Sequence, residues 1–285
     1  MDRYAVAGNP VEHSRSPFIH AEFAKQTGQA LHYGRLLCPL QGFAEAIQAF
    51  AGSTGDDDGA GPARGCNVTV PFKFDAFRLA PRRTERAALA GAANTLRFDA
   101  QGWLADNTDG CGLVRDIEQG AGVRLAHQRI LLIGAGGAAA GVLGPLLGAG
   151  AARVVVANRT LAKAQALVER HRPLAGPAQL QALPLERCGE AFDVVINATA
   201  SSLQGAEIPV PAHTLGAGAL AVDLMYGPAA QAFLQWAAAH GAVPRDGLGM
   251  LVEQAAESFH LWRGVRPDTA PVLAALRRRM AAPPG

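Results

Sequence analysis

The sequence predicts an α/β protein of two domains. Three observations predict it. Apolar runs of β type alternate with segments of helical periodicity along the whole chain. One such run, Arg129-Ile-Leu-Leu-Ile133, feeds a glycine turn that opens a helical pattern with Val142, Leu143, Leu146 and Leu147 on one face. The length, 285 residues, exceeds that of a typical single domain.

Taken in order, residues 4–7 read as a short strand that ends at Gly8, and a helix is expected after Pro17. Residues 32–38 suggest a second strand, and Phe43, Ile47 and Phe50 recur at helical spacing. The stretch 53–64, rich in Gly and Asp and containing Pro62, reads as an exposed loop. Its run of Asp56, Asp57 and Asp58 is expected to be solvated rather than a cation site. Residues 66–70 alternate as a strand, with Val68 and Val70 on one face and Asn67 and Thr69 on the other. Residues 94–98 and 103–105 read as two more strands. The second domain, which holds the glycine turn, is expected over 105–247, with further strands at 193–197 and 220–223 and a kink at Pro145. Leu248, Val252, Ala255 and Phe259 share a helical face, so 248–285 should pack back on residues 1–104. The first domain is thereby discontinuous.

Within the glycine turn, Gly134, Gly136 and Ala139 supply the three small positions of the G-x-G-x-x-(G/A) fingerprint. They allow a tight turn, close approach of a pyrophosphate, and close helix–strand packing. The N–H groups of the helix amino terminus then face the phosphates. In such a unit the second strand should end in Asp or Glu, which holds the ribose 2′-hydroxyl of NAD. Here 153–157 ends in Asn158, Arg159 and Thr160, with Lys163 a turn later. Cations at that place suit a 2′-phosphate, so NADP is the expected cofactor.

Hydrophobic residues make up 49% of the chain, enough for sizeable cores. A net charge of +2 with no basic stripe argues against nucleic acid as a partner. No stretch reaches 18 uninterrupted apolar residues, and the amino terminus lacks the layout of a signal peptide, so no membrane and a cytoplasmic setting are expected. Cys38, Cys66, Cys111 and Cys188 lack C-x-x-C spacing and are read as reduced thiols, with no disulfide and no metal.

Four segments of the first half carry polar groups that a plain core does not need. His13-Ser14-Arg15-Ser16-Pro17 sets two hydroxyls two residues apart, although Ser16-Pro17 also fits a helix cap. Asn67-Val-Thr-Val-Pro-Phe-Lys73 brings a lysine just past a strand end. Ala93-Asn94-Thr95 and Asp106-Asn-Thr-Asp109 add an amide and a carboxylate.

Together with Gly134-Ala-Gly-Gly-Ala138, Asn158-Arg-Thr160, Asn197-Ala-Thr199 and Asp246-Gly-Leu-Gly-Met250, these segments resemble the shikimate dehydrogenase family in order and spacing. The resemblance implies an α/β substrate domain plus a Rossmann-type domain, and NADPH-dependent reduction of 3-dehydroshikimate. It implies that Lys73 and Asp109 bracket the reacting oxygen, and that Ser14 and Ser16, with Tyr226, hold the substrate carboxylate. Thr69, Asn94 and Gln254 would meet ring hydroxyls. On the cofactor side it assigns Gly134, Ala135, Gly136, Gly137 and Ala138 to the pyrophosphate. Asn158, Arg159, Thr160 and Lys163 fall to the adenosine phosphate, Leu224 and Gly247 to the nicotinamide. Glu85 matches a position near the cofactor, though a surface helix charge explains it too. Lysine ammonium beside a developing alkoxide both stabilises charge and donates a proton. Against the family pattern, Arg15, Ala140 and Leu224 are departures, and the loop 53–64 is longer than usual. Two alternatives stay open: a quinate/shikimate dehydrogenase using NAD, and a non-catalytic metabolite-binding paralogue. Monomer and homodimer are equally compatible with the sequence.

Overall fold

The computed structural model describes residues 1–54, 61–199 and 210–281. The run Asp56, Asp57 and Asp58 lies outside the described residues. The chain forms two compact units, Met1–Gly112 with Val252–Gly285, and Leu113–Leu251.

The first unit runs β1 (Asp2–Gly8), α1 (Ser16–Thr27), β2 (Leu31–Leu37), α2 (Phe43–Gly52), β3 (Ala63–Val68) and α3 (Lys73–Leu79). It continues with β4 (Arg82–Arg83), α4 (Glu85–Ala90), β5 (Thr95–Arg97) and β6 (Leu104–Asp106). Its sheet has the order β2-β1-β3-β5-β6-β4. β1 is parallel to β2 and β3, whereas β5 is antiparallel to both β3 and β6. Successive side chains of a strand point to opposite faces. Ala7 accordingly joins a core of Phe43, Ile47, Cys66, Val68, Phe72 and Leu96. Tyr4 and Val6 instead pack with Val11 and Tyr33, and Trp262 lies against them.

α5 (Asp109–Arg115) leads into the second unit. Next come β7 (Arg129–Ile133), α6 (Gly137–Gly148), β8 (Arg153–Ala157), α7 (Leu161–His171), β9 (Gln179–Leu183) and β10 (Phe192–Asn197). β11 (Leu215–Asp223), α8 (Gln231–Ala239) and β12 (Val243–Arg245) complete it. All six strands are parallel, in the order β9-β8-β7-β10-β11-β12. Both faces are covered: Ile130, Leu132, Val154 and Val156 enter one core, and Leu131, Ile133, Val155 and Ala157 the other. This accounts for the unbroken apolar runs of these strands. Strand order reverses direction between β7 and β10, the place where open α/β sheets hold ligands. α9 (Leu248–Arg263) returns the chain to the first unit, where Val252, Ala255 and Phe259 are buried, and α10 (Ala270–Ala281) packs on α1.

Several local expectations are corrected. β3 stops at Val68, so Val68 is buried while Val70 is 56% exposed; Pro71 brings no N–H to extend the ladder. α1 starts at Ser16 with Arg15 as its N-cap, which puts Pro17 one position further in than expected. α6 continues past Pro145 to Gly148, so the proline falls in the last turn and removes one helical hydrogen bond. β4, β9 and β12 carry no period long enough to be read in advance. Among the described residues no helix is long and apolar enough to cross a membrane. All four cysteines are free thiols, and among the described residues no His/Cys/Asp/Glu cluster could hold a metal.

Candidate active site

Strand register brings the polar residues of the first unit together. Asn67 on β3 faces Thr95 on β5, and Thr95 faces Asp106 on β6, so one row across the sheet is polar and buried. Buried polar groups need partners, and these find one another. Asn67 Nδ2 donates to Ser258 Oγ at 2.9 Å and to Thr95 Oγ1 at 3.1 Å, while Tyr33 donates its hydroxyl to Asn67 Oδ1 at 2.7 Å. Beyond the row, Asn94 immediately precedes β5. Its Nδ2 lies 2.8 Å from Thr108 Oγ1, 2.9 Å from Asp109 Oδ1 and 3.1 Å from Gln254 Oε1. The Thr108 N–H donates back to Asn94 Oδ1 at 2.8 Å.

Lys73 closes this cluster. The chain turns after β3, with the Phe72 N–H donating to the Thr69 carbonyl at 3.0 Å and the Phe72 ring stacked on Phe43 at 4.7 Å. Lys73 then opens α3, and its carbonyl accepts the Ala93 N–H at 2.8 Å, beside Asn94. Its Nζ donates to Asp109 Oδ2 at 2.5 Å. The two side chains are 14% and 6% exposed, so the pair lies where charges interact more strongly than in water. Asp109 thus holds the ammonium with one oxygen and the Asn94 amide with the other. An ammonium fixed in this way can stabilise an adjacent oxyanion and donate to it.

Ser14 and Ser16 meet although the backbone between them is not extended. Arg15 is helical, and the Ser14 hydroxyl folds back to accept the Ser16 N–H at 3.3 Å and donate to Ser16 Oγ at 3.2 Å. Thr69 is half-buried; its N–H donates to the Ala7 carbonyl at 2.9 Å, and its methyl occupies the space a side chain on Gly8 would need. Glu85 is exposed in the first turn of α4, after the N-cap Thr84. Tyr226, Leu224 and Gly247 belong to the second unit. A side chain at Gly247 would strike the Leu224 carbonyl at 2.4 Å, so glycine is required for these two segments to touch.

The second unit carries a cradle suited to a pyrophosphate. Gly134 has φ +111°, and an added Cβ would lie 3.1 Å from the Ala198 carbonyl, so β7 and β10 meet only through glycine there. Among the described residues, by contrast, nothing lies within 4 Å of a Cβ built on Gly136. It is the N-cap of α6, which has neither a side-chain cap nor an acidic residue in its first turn. The first N–H groups of a helix have no partner within it, and such a turn suits an anion. Asn158 donates to the Thr160 carbonyl at 2.9 Å, shaping the turn after β8. Arg159 and Lys163 are exposed, and among the described residues no carboxylate lies within ion-pair distance of either. This donor set fits NADP.

The structure thus joins Lys73, Asp109, Asn94 and Gln254 in one bonded cluster, and Ser14 with Ser16 in another contact. Tyr33 and Ser258 belong to the network as well, although the sequence does not single them out. A signal existed only for Asn67 and Thr95, as polar residues within apolar strands.

Family models for the shikimate dehydrogenase substrate binding domain, for shikimate / quinate 5-dehydrogenase and for the shikimate 5′-dehydrogenase C-terminal domain match residues 6–96, 116–206 and 247–277. A shikimate dehydrogenase (NADP(+)) of Methylibium petroleiphilum is 67% identical over 278 residues, 97% of this chain and 94% of that protein. Among solved structures, an Ael1 enzyme from Pseudomonas putida is 45% identical with a TM-score of 0.86, covering 99% of each chain. Shikimate 5-dehydrogenase from Thermus thermophilus, in complex with NADP(H) and shikimate, is 32% identical with a TM-score of 0.83, covering 98% of this chain and 99% of that one.

Proposed function

The chain belongs to the shikimate dehydrogenase family, and on that premise we propose that it reduces 3-dehydroshikimate to shikimate with NADPH, reversibly. The observation that carries the reading is the buried Lys73–Asp109 pair at 2.5 Å, flanked by Asn94 and Gln254. A protein that only bound a metabolite would have no use for a proton donor held in this way.

When bound, NADPH supplies the hydride for the ketone carbon. The Lys73 ammonium stabilises the charge gathering on the ketone oxygen and donates its proton there. Asp109 keeps Nζ aimed, and Asn94 keeps Asp109 from turning. Ser14 and Ser16, with Tyr226, hold the ring carboxylate, and Thr69, Asn94 and Gln254 meet the hydroxyls. For the cofactor, residues 134–138 take the pyrophosphate, and Asn158, Arg159, Thr160 and Lys163 take the adenosine 2′-phosphate. Leu224 and Gly247 flank the nicotinamide, and Glu85 stands near the cofactor. In the oxidative direction Lys73 first releases its proton, so that rate rises with pH. The four free thiols accord with work in the cytoplasm, as a monomer or homodimer.

The test is absorbance of reduced nicotinamide with shikimate or quinate crossed against NADP or NAD. Turnover with shikimate and NADP alone is expected. Comparable rates with quinate or NAD would make the chain a broader dehydrogenase, and binding without turnover a metabolite sensor.

A further inference from the structure

Arg86, on α4, joins the turn that carries Asp109 to the helix that carries Gln254. Its guanidinium grips Asp106 as a fork, Nε to Oδ1 at 2.6 Å and Nη2 to Oδ2 at 2.5 Å. The remaining nitrogen, Nη1, reaches Glu257 Oε1 on α9 at 3.1 Å. The Asp106 side chain is 1% exposed, and its carboxylate also accepts the Thr84 hydroxyl at 2.6 Å and the Asn107 N–H at 2.7 Å. Burial alone would raise the Asp106 pKa, but the bonds from Arg86 outweigh it and hold the group below the usual carboxylate range.

Asp106 leads directly into the catalytic turn. β6 ends there, and three residues later Asp109 opens α5. Asn107 donates to the Ala92 carbonyl at 3.0 Å and accepts the Asp109 N–H at 3.2 Å. The Asp106 carbonyl accepts the Asn94 N–H at 3.0 Å. On the other side, Glu257 lies three residues beyond Gln254 and so shares its face of α9. Arg266 holds the free oxygen of Glu257 at 2.5 Å and Glu253 at 2.8 Å.

We propose that Arg86 is a positioning residue of the reaction: its fork on Asp106 sets residues 107–109, its bond to Glu257 sets Gln254, and the two together keep Asp109 Oδ2 aligned with Lys73 Nζ. The inference rests on the roles proposed for Lys73, Asp109 and Gln254. A planar fork is needed because a point charge cannot fix a carboxylate plane.

The test compares wild type, Lys73→Ala, Arg86→Ala and Arg86→Lys in the shikimate and NADP assay, with circular dichroism and thermal melting alongside. Misplacement of a catalytic group by an ångström costs on the order of 10²-fold, so kcat of folded Arg86→Ala should fall by about 10- to 100-fold. The KM for shikimate should rise by less, and the KM for NADP should stay near wild type. Because the Arg86 side chain is 31% exposed, millimolar guanidinium should re-enter its place and restore part of kcat. Sodium chloride at the same concentration should not. Arg86→Lys should stay well below wild type, and it carries the test if Arg86→Ala does not fold. A kcat of folded Arg86→Ala or Arg86→Lys within about threefold of wild type, or a deficit that guanidinium leaves untouched, overturns the proposal. Loss of turnover in Lys73→Ala keeps the functional reading standing whichever way Arg86 falls. A folded wild type that fails to oxidise shikimate removes that reading and this inference with it.

Discussion

An ammonium pinned between a helix start and a buried carboxylate is a group arranged for proton transfer, and its removal is the sharpest residue-level test. Lys73→Ala should reduce turnover by about 10²- to 10⁴-fold, the range for a general acid–base group. Steady-state kinetics in both directions measures it, and turnover within threefold of wild type would sink the role. Ser14 has a different signature. Its hydroxyl shares a contact with Ser16, and a carboxylate bound there is held equally before and during hydride transfer. Ser14→Ala should therefore raise the KM for shikimate and leave kcat nearly intact. An unchanged KM would place the carboxylate elsewhere.

At the scale of the element, the turn between β7 and α6 separates glycines needed by the fold from glycine needed by the ligand. Gly134 holds a positive φ against the Ala198 carbonyl, so Gly134→Ala should destabilise the protein by about 1–3 kcal/mol. Gly136 has an ordinary extended backbone, and a methyl there meets no atom of the described residues within 4 Å. Gly136→Ala should melt like wild type without cofactor and yet bind NADP more weakly. Calorimetric titration beside a thermal melt separates the two, and equal NADP affinity in Gly136→Ala would move the pyrophosphate away from this turn. The turn after β8 makes a matching distinction: Arg159→Ala should weaken NADP far more than NAD. Equal losses for both cofactors would remove Arg159 from the 2′-phosphate.

For the whole molecule, acid stability depends on His20. Its imidazole is fully buried, stacked on Tyr33 at 4.1 Å with Phe23 and Phe259 nearby, and burial pushes its pKa down to about 3. An unfolded imidazole titrates near 6.5. Between those values the unfolded chain binds a proton that the folded chain refuses. The stability is therefore whole above pH 6.5 and lost as pH falls toward 3, at up to about 1.4 kcal/mol per pH unit. Asp106 acts in the same direction lower down: its depressed pKa lends stability that disappears as pH falls below the unfolded carboxylate value. Urea unfolding between pH 4 and 7 should show a flatter pH dependence for His20→Phe than for wild type. Equal slopes would mean that another group governs the acid limb.

The alternation of strands and helices, the glycine turn at 134–138 with its cation-bearing next turn at 159 and 163, and the family were all legible in the chain. These are local: a period of two or 3.6 residues states which face is buried, and a turn states its own backbone. Edges were less legible. Val70 continued the alternation of β3 on paper but is exposed, because Pro71 ends the ladder, and the two-residue β4 has no period at all. Which buried polar groups satisfy one another is set by the packing of distant segments. Lys73 meets Asp109 across 36 positions and Asn94 meets Gln254 across 160, separations that no spacing in the chain encodes. The antiparallel placement of β5 between β3 and β6 sets Asn67, Thr95 and Asp106 side by side. Arg86 stands out only because that sheet brings Asp106 to it and α9 brings Glu257. The physical reason is that burying a polar group is costly without a partner, and the partner is chosen by which strands and helices the fold makes neighbours.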